Sequence, residues 1–211
     1  MNLLLTWASG EHFCKLPEVE IFLKSSKLVK ADKLVIGHDL NEEAISLFEE
    51  YSFKVLRVKN KLVNYVLRDR HFHFWQYLLD QEYEAVLHCD SRDVLFQTDP
   101  FKELDLNNKI YFIDEGIPST SSGFHLIEQL EFQKNIPQSF KTNIRTPFVL
   151  NGGVTIGSFE LMKNFHMWMW AGSLNSHSTT DQAALNFFFN YLKKDKTVNI
   201  APDWFCLTGE A

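Results

Sequence analysis

Residues 85–96 read Ala85-Val86-Leu87-His88-Cys89-Asp90-Ser91-Arg92-Asp93-Val94-Leu95-Phe96. The apolar run Ala85–Cys89 is short and bounded by polar residues, which predicts a buried strand. It ends directly on Asp90, so the strand delivers two carboxylates, Asp90 and Asp93, to its exposed end. Hard divalent cations such as Mg²⁺ and Mn²⁺ prefer oxygen ligands and commonly bridge carboxylates to substrate phosphates. Two acids with Arg92 between them suit such a site, although Arg92 can also pair with Asp90 or Asp93 itself. The alternative is a turn whose Asp side chains cap the backbone.

Working outward toward the N-terminus, strands and helices alternate. Asn2–Thr6 predicts a buried strand that ends in Thr6-Trp7-Ala8-Ser9-Gly10. Pro17–Val29 has helical spacing, with Val19, Phe22, Leu23 and Leu28 inward. Lys33–His38 is a short strand. Asn41–Tyr51 is a helix capped by Asn41, with Ala44, Ile45, Leu47 and Phe48 on its apolar side. Lys54–Val58 is a third strand. Tyr65–Tyr83 is a long helix expected to face the core with Phe72, Trp75, Leu78 and Leu79. This order predicts an α/β fold of Rossmann-like type, a mostly parallel central sheet with helices on both faces. Ligands of such sheets sit beyond the carboxyl ends of the strands, so Thr6–Gly10 and Asp90–Asp93 should share one crevice.

The C-terminal half is less regular. Lys109–Ile113 predicts a strand, the polar stretch Asp114–Gly123 a loop, and Leu126–Gln133 a helix. Val149–Ile156 reads as a strand interrupted by Gly152-Gly153. Phe159–Ala171 is a Met- and Trp-rich helix whose stripe Met162, Phe165, Trp168 and Met169 fits core packing. Asp181–Leu192 is another helix, with Ala184, Leu185, Phe188 and Phe189 inward, and Val198–Ile200 an edge strand.

The 211 residues bear 21 Lys and Arg against 27 Asp and Glu, a net charge of −6. That balance argues against unspecific nucleic-acid binding, which needs a basic surface. The hydrophobic share of 45% and charged share of 23% are those of a globular chain. Three cysteines, Cys14, Cys89 and Cys206, have no paired spacing, which disfavours a disulfide framework or a cysteine zinc site. The opening Met1-Asn2-Leu3-Leu4-Leu5 lacks the basic flank of a signal peptide, and no apolar stretch is long enough to span a membrane. The expectation is a single domain over residues 1–211, complete or the N-terminal part of a longer protein, in a reducing, cytoplasmic compartment.

Other residues carry candidate chemistry. Arg68 and His71 stand three apart near the start of the long helix and share a face, whereas Arg70 points elsewhere. Positive charge at a helix N-terminus suits a diphosphate, and the alternative is solvated surface. His73 and His88 fit packing roles in helix and strand. Gly152 and Gly153 have no Cβ to obstruct a ligand, and the alternative is a bulge. Asp181 and Gln182 begin a helix after Thr179-Thr180, where an acid also serves as a cap.

The run Val86–Phe101, with its acids followed by Asp99-Pro100-Phe101, resembles the Asp-x-Asp segment of glycosyltransferases with the GT-A fold. Here the acids are spaced Asp-x-x-Asp, which leaves open which one grips the metal and which contacts the ribose. Asn151-Gly152-Gly153-Val154-Thr155-Ile156-Gly157-Ser158 is similar to the family's Asn-(Ser/Gly)-Gly-Val strand. Asp181-Gln182-Ala183-Ala184-Leu185-Asn186 is similar to its Asp-Gln-x-x-x-Asn helix start. The likeness extends to the small transferases of large algal viruses that build capsid-protein glycans, which would place the chain in a host cytoplasm.

The resemblance implies a nucleotide-activated donor, most often a UDP-sugar of a hexose or deoxyhexose, and transfer to a hydroxyl of a glycan or glycoprotein. Mn²⁺ or Mg²⁺ on Asp90 and Asp93 would neutralise the departing diphosphate. Asp203 is a candidate further ligand. Thr6, Trp7 and Ala8, with Asp90 and Ser91, would form the nucleotide pocket, the Trp7 ring stacking on uracil unless it is a core residue. Gly152 and Gly153 would approach the donor sugar, beside Asn151, Asp181 and Gln182 near the reacting carbon. The Asp-Gln start is nearer to retaining members. Inversion would require Asp114, Glu115 or Asp181 as a base.

Two rival readings remain in view. A sugar nucleotidyltransferase needs a Gly-rich, basic loop after the first strand, and Thr6–Gly10 has one Gly followed by Glu11. A non-catalytic glycan- or nucleotide-binding module of the same fold would not need the acid pair together with Asp181.

Overall fold

A computed structural model describes residues 1–10, 15–59, 66–118, 148–173, 184–186, 188–189, 197–201 and 206–208. Strands β1 (Leu3–Ser9), β2 (Asp32–His38), β3 (Lys54–Val58), β4 (Ala85–Asp90), β6 (Ile110–Pro118), β7 (Phe148–Ser158) and β8 (Val198–Ile200) form one sheet. Their order is β3-β2-β1-β4-β7-β6-β8. The first four neighbours run parallel, β7 is antiparallel to both β4 and β6, and β8 is parallel to β6. A second, two-stranded ribbon pairs β5 (Val94–Phe96) with β9 (Cys206–Thr208).

Alternation along β1 explains the layers. Leu3, Leu5 and Trp7 face one side, where they meet Phe74 and Leu78 of α3 (Val66–Leu79) and Met162, Phe165 and Met169 of a long helix (Phe159–Ser173). Leu4 and Ala8 face the other side, against Val19, Phe22 and Leu23 of α1 (Pro17–Ser26) and Phe48 of α2 (Glu42–Glu50). Helices therefore cover both faces. A short α4 (Pro100–Glu103) follows β5, and Phe159–Ser173 is α5.

Local chemistry sets the helix starts. Asn41 Oδ1 accepts from the Ala44 N–H at 2.9 Å, and α1 begins on Pro17 with Glu18 and Glu20 in its first turn. Asp99 caps α4 in the same way, ahead of Pro100.

Some expected details are corrected. The inward face of α3 runs through Arg70, His71, Phe74 and Leu78, while Phe72 and Trp75 are half-buried and Leu79 is exposed. Leu28 lies beyond the end of α1 and is exposed, as is Trp168 on α5. The loop expected from Asp114 is corrected over Asp114–Pro118, where β6 continues, and its remainder lies outside the described residues. The expected helix Leu126–Gln133 lies outside the described residues. Helical residues 184–186 and 188–189 carry Ala184, Leu185, Phe188 and Phe189 into the core as expected.

Candidate active site

The chain runs from β1 out to β2 and β3, then returns to place β4 on the other side of β1. Strand order thus reverses between β1 and β4, and the crevice beyond their carboxyl ends is where ligands of such sheets bind. Trp7 and Asp90 are register partners at that point. Ser91 Oγ donates to the Trp7 carbonyl at 2.6 Å, and Thr6 Oγ1 to the Cys89 carbonyl at 2.7 Å, which locks the two strand ends together.

Asp90 meets Arg70, whose Nη1 lies 2.6 Å from Oδ1; the arginine side chain is 4% exposed and the aspartate 34%. Arg70 Nη2 also approaches the Gly152 carbonyl at 3.4 Å. The other Asp90 oxygen, Oδ2, lies against Gly153, where an added Cβ would sit 2.8 Å from it and 3.1 Å from Asn151 Oδ1. The backbone there leaves the ladder. Phe112 pairs with Thr155 but Ile113 with Asn151, so residues 152–154 form a bulge against β6. Bulges re-aim side chains and are frequent beside active sites. This one brings Gly152 and Gly153 to the Asp90 carboxylate.

Asn151 is held on both sides. Its Oδ1 accepts from the Gly153 N–H at 2.8 Å, and its Nδ2 donates to Glu115 Oε1 at 3.1 Å. Glu115 is exposed, and the neighbouring Asp114 accepts from the Gly116 N–H at 2.8 Å. Gly116 has φ +71°, a left-handed turn that suits glycine. Asp93 is half-buried in the turn between β4 and β5 and has no hydrogen bond or ion pair among the described residues.

Asp90, Gly152, Gly153 and Asn151 therefore converge, with Glu115 at the edge and Asp93 three residues on. Other expected contacts are corrected. The Thr6 and Ala8 side chains are fully buried, the Thr6 hydroxyl is spent on Cys89, and Ser91 is buried with its hydroxyl on Trp7. None of the three side chains presents a surface to a nucleotide. Trp7 is a core residue: its ring stacks with His73 and His38, at 5.8 and 6.5 Å between centroids, and meets Phe74 edge-on. Arg92 is exposed, and the salt bridge on Asp90 comes from Arg70 instead.

His71 does not face a diphosphate. It is buried between α3, β4 and α5, with Nδ1 2.9 Å from Nδ1 of His166 and its ring against His88. Burial, then the charge of Arg70, holds His88 well below the usual imidazole range, while His166 is lowered by burial and then by His71. Both are neutral packing groups, as expected for His88. The side chain of Arg68, together with Asp181, Gln182 and Asp203, lies outside the described residues.

Arg70, which pairs with Asp90 at the candidate site, is the residue that the sequence reading assigned to the wrong face. Its signal was present: Arg70, Phe74 and Leu78 recur every four residues, so Arg70 extends the buried stripe of α3 toward the sheet end.

No metal-ligating group of three or more side chains occurs among the described residues, and none of the described helices is long and apolar enough to cross a membrane. No family model matches the chain. A stretch of 69 residues is 41% identical to N-(5'-phosphoribosyl)anthranilate isomerase of Phocaeicola vulgatus, covering 30% of this chain and 33% of that protein. The chain thus spans about a third of that curated relative's length. The apo-form glycosyltransferase GlyE of Streptococcus pneumoniae has a similar structure, with a TM-score of 0.54 and 15% identity, over 96% of this chain and 45% of that one. The seven-stranded sheet and its flanking helices thus form a mixed α/β fold similar to that of a glycosyltransferase.

Proposed function

We propose that the chain is a metal-dependent glycosyltransferase that moves a sugar from a nucleotide diphosphate donor, a UDP-sugar in the first instance, to a hydroxyl of a glycan or glycoprotein. The supporting observation is the convergence of Asp90 with the Gly152–Gly153 bulge at the β1/β4 crevice of this fold. An acid beside backbone that carries no Cβ suits a sugar diphosphate pressed close to the sheet end.

The donor set fits Mn²⁺ or Mg²⁺ used with substrate. Such ions take one or two protein carboxylates and complete their shell with phosphate oxygens and water. Asp93 has a carboxylate with no partner among the described residues, and Asp90 has one oxygen on Arg70 and the other toward Gly153. Asp93 is accordingly the principal ligand and Asp90 the secondary one, with Asp203 as a candidate third. The bound ion supplies charge neutralisation of the leaving diphosphate.

The protein's own groups do the rest. Arg70 fixes Asp90 in one rotamer and prepays its orientation. Asn151, clamped by Glu115 and the Gly153 N–H, holds a carboxamide for the sugar hydroxyls. Glu115, exposed and bonded to Asn151, would take the acceptor proton if configuration inverts. Asp181 and Gln182 carry the alternative, retention through an electrostatically stabilised oxocarbenium-like state.

The test is calorimetric titration of UDP with and without Mn²⁺, followed by assay of sugar release from UDP-sugars. Asp93→Asn is expected to abolish Mn²⁺-dependent UDP binding while far-UV circular dichroism stays unchanged. Unaltered Mn²⁺-dependent affinity in that variant would remove the metal site from the proposal.

A further inference from the structure

A second polar cavity lies at the opposite end of the sheet, where β1, β2 and β3 begin. It encloses about 620 Å³. Leu3 and Leu34 form part of its floor, and Lys27, Lys30, Lys33 and Lys54 line it. Tyr77 and Gln81, at the end of α3, and Tyr83 make another part of the wall. Leu3 and Trp7 are four residues apart on β1, so this cavity is roughly 13 Å from the β1/β4 crevice at ordinary strand rise. One diphosphate cannot touch both.

The charge here runs against the molecule. The chain carries −6 overall, and other lysines have acid partners: Lys24 with Glu20, Lys109 with Asp105, Lys163 with Glu160. None of the four cavity lysines has an ion pair among the described residues, and Asp32 is the one carboxylate in the lining. Asp32 and the C-terminal end of α3 offset part of the positive charge, and lysine still outnumbers aspartate four to one. Two ammoniums are held in place without being neutralised. Lys27 Nζ lies 4.6 Å over the Tyr51 ring, and Lys33 Nζ lies 5.7 Å over the Phe53 ring. Burial first, then the charges of Lys30 and Lys27, pushes the half-buried Lys33 below the ordinary lysine value. An anion among them would relieve that repulsion.

The tyrosines add a donor. Their hydroxyls are 3.2 Å apart, so one proton bridges the pair and the other is left to donate outward. Burial, then the bond to Tyr83, raises Tyr77 far above the usual phenol range, so that hydroxyl keeps its proton.

We propose that this cavity is a separate anion site for a ligand bearing two or more closely spaced phosphate or sulfate groups. Several ammoniums around one cavity reward a polyvalent anion over single phosphate, because each oxyanion meets its own lysine. Lys33 and Lys54 hold the charge, and the tyrosine pair donates a neutral hydrogen bond.

The test titrates the full chain with inorganic tripolyphosphate in EDTA, which silences any metal-dependent site. A sulfated disaccharide in a parallel arm distinguishes sulfate esters from phosphates. Wild-type protein is expected to bind tripolyphosphate at least about tenfold more tightly than inorganic phosphate, with affinity falling as salt rises from about 50 to about 200 mM. The double variant Lys33→Gln/Lys54→Gln should lose about tenfold in affinity, with the single variant Lys30→Gln losing less. Tyr77→Phe keeps the ring and should lose a few-fold. Asp93→Asn, at the other end of the sheet, should bind tripolyphosphate like wild type. Absence of binding at millimolar tripolyphosphate would overturn the proposal. So would equal affinity in the lysine variants, or loss of binding in Asp93→Asn.

Discussion

Gly153→Ala isolates the contact on which the proposed chemistry depends. The Gly153 backbone has no left-handed torsion, so alanine meets no conformational barrier there. The obstacle is steric: the new Cβ falls 2.8 Å from Asp90 Oδ2, against 3.4 Å for the start of ordinary contact. Either the carboxylate or the bulge must yield by about 0.6 Å, the difference between those distances. Asp90 has little freedom, because Arg70 grips its other oxygen at 2.6 Å. Displacement of a reacting group by an ångström costs on the order of a hundredfold, so this shift should cost about tenfold to fiftyfold in kcat/KM. Overpacking a half-buried site costs about 1–2 kcal/mol of stability, so the fold survives. The assay is sugar transfer or donor hydrolysis, with Mn²⁺-dependent UDP affinity by calorimetry and Tm from thermal unfolding. Unchanged kcat/KM and UDP affinity in a folded variant would refute the reasoning, because the crowded oxygen would then be idle.

Gly157→Ala makes the same chemical change with a different outcome. Its Cβ would meet the Lys109 carbonyl at 2.9 Å and Ile110 Cα at 3.0 Å, backbone atoms that cannot rotate away, so unfolding free energy should fall by about 2–3 kcal/mol in urea denaturation. Asp90→Asn removes a carboxylate charge from the nearly buried Arg70 guanidinium and should lower stability by about 2–4 kcal/mol, in contrast to Asp93→Asn, which should unfold like wild type. His166 is buried among Arg70, His71 and His88 with its pKa depressed, so the unfolded chain binds a proton below pH 6.5 that the folded chain refuses. Stability is full well above that pH and declines beneath it; His166→Gln should reduce the slope of unfolding free energy against pH below 6.5, by up to about 1.4 kcal/mol per unit.

Strand placement was legible because apolar runs such as Leu3–Leu5 and Ala85–Cys89 are short, dense and ended by polar residues. The position of Asp90 at a strand's carboxyl end followed from the same run. The face of α3 was harder to read, since Phe72, Trp75 and Leu79 offer as much apolar surface as Phe74 and Leu78. What decides the rotation is which stripe meets β1 and β4, a tertiary contact that periodicity does not contain. Histidine hid part of the answer as well. His71, His88 and His166 look polar in a sequence but are buried against Phe74 and Phe165. Trp7 misled in the opposite sense, because a ring beside a candidate pocket and a ring beneath it have the same sequence context. The continuation of β6 through Asp114–Pro118 depends on pairing with β7, which no local signal announces.

The two carboxylates of the acidic turn are not equivalent, and their difference limits how the site works. Asp90 belongs to β4, is paired with a nearly buried arginine, and turns its other oxygen toward the space that a Cβ at Gly153 would fill. Its charge is already compensated, so a cation placed directly on it would have to compete with Arg70 at short range. Asp93 stands free of the strand, half-buried, and has no such partner among the described residues. A cation would therefore gain most at Asp93, while under the proposed function Asp90 would do more by holding geometry at the sugar side. The extra residue in Asp-x-x-Asp makes this division possible: it carries the second carboxylate past the arginine and out into the turn. In that arrangement Arg70 and the cation do not contend for one oxygen. Under the proposed function, Arg70 and a cation held by Asp93 would both act on the negative charge of a departing diphosphate.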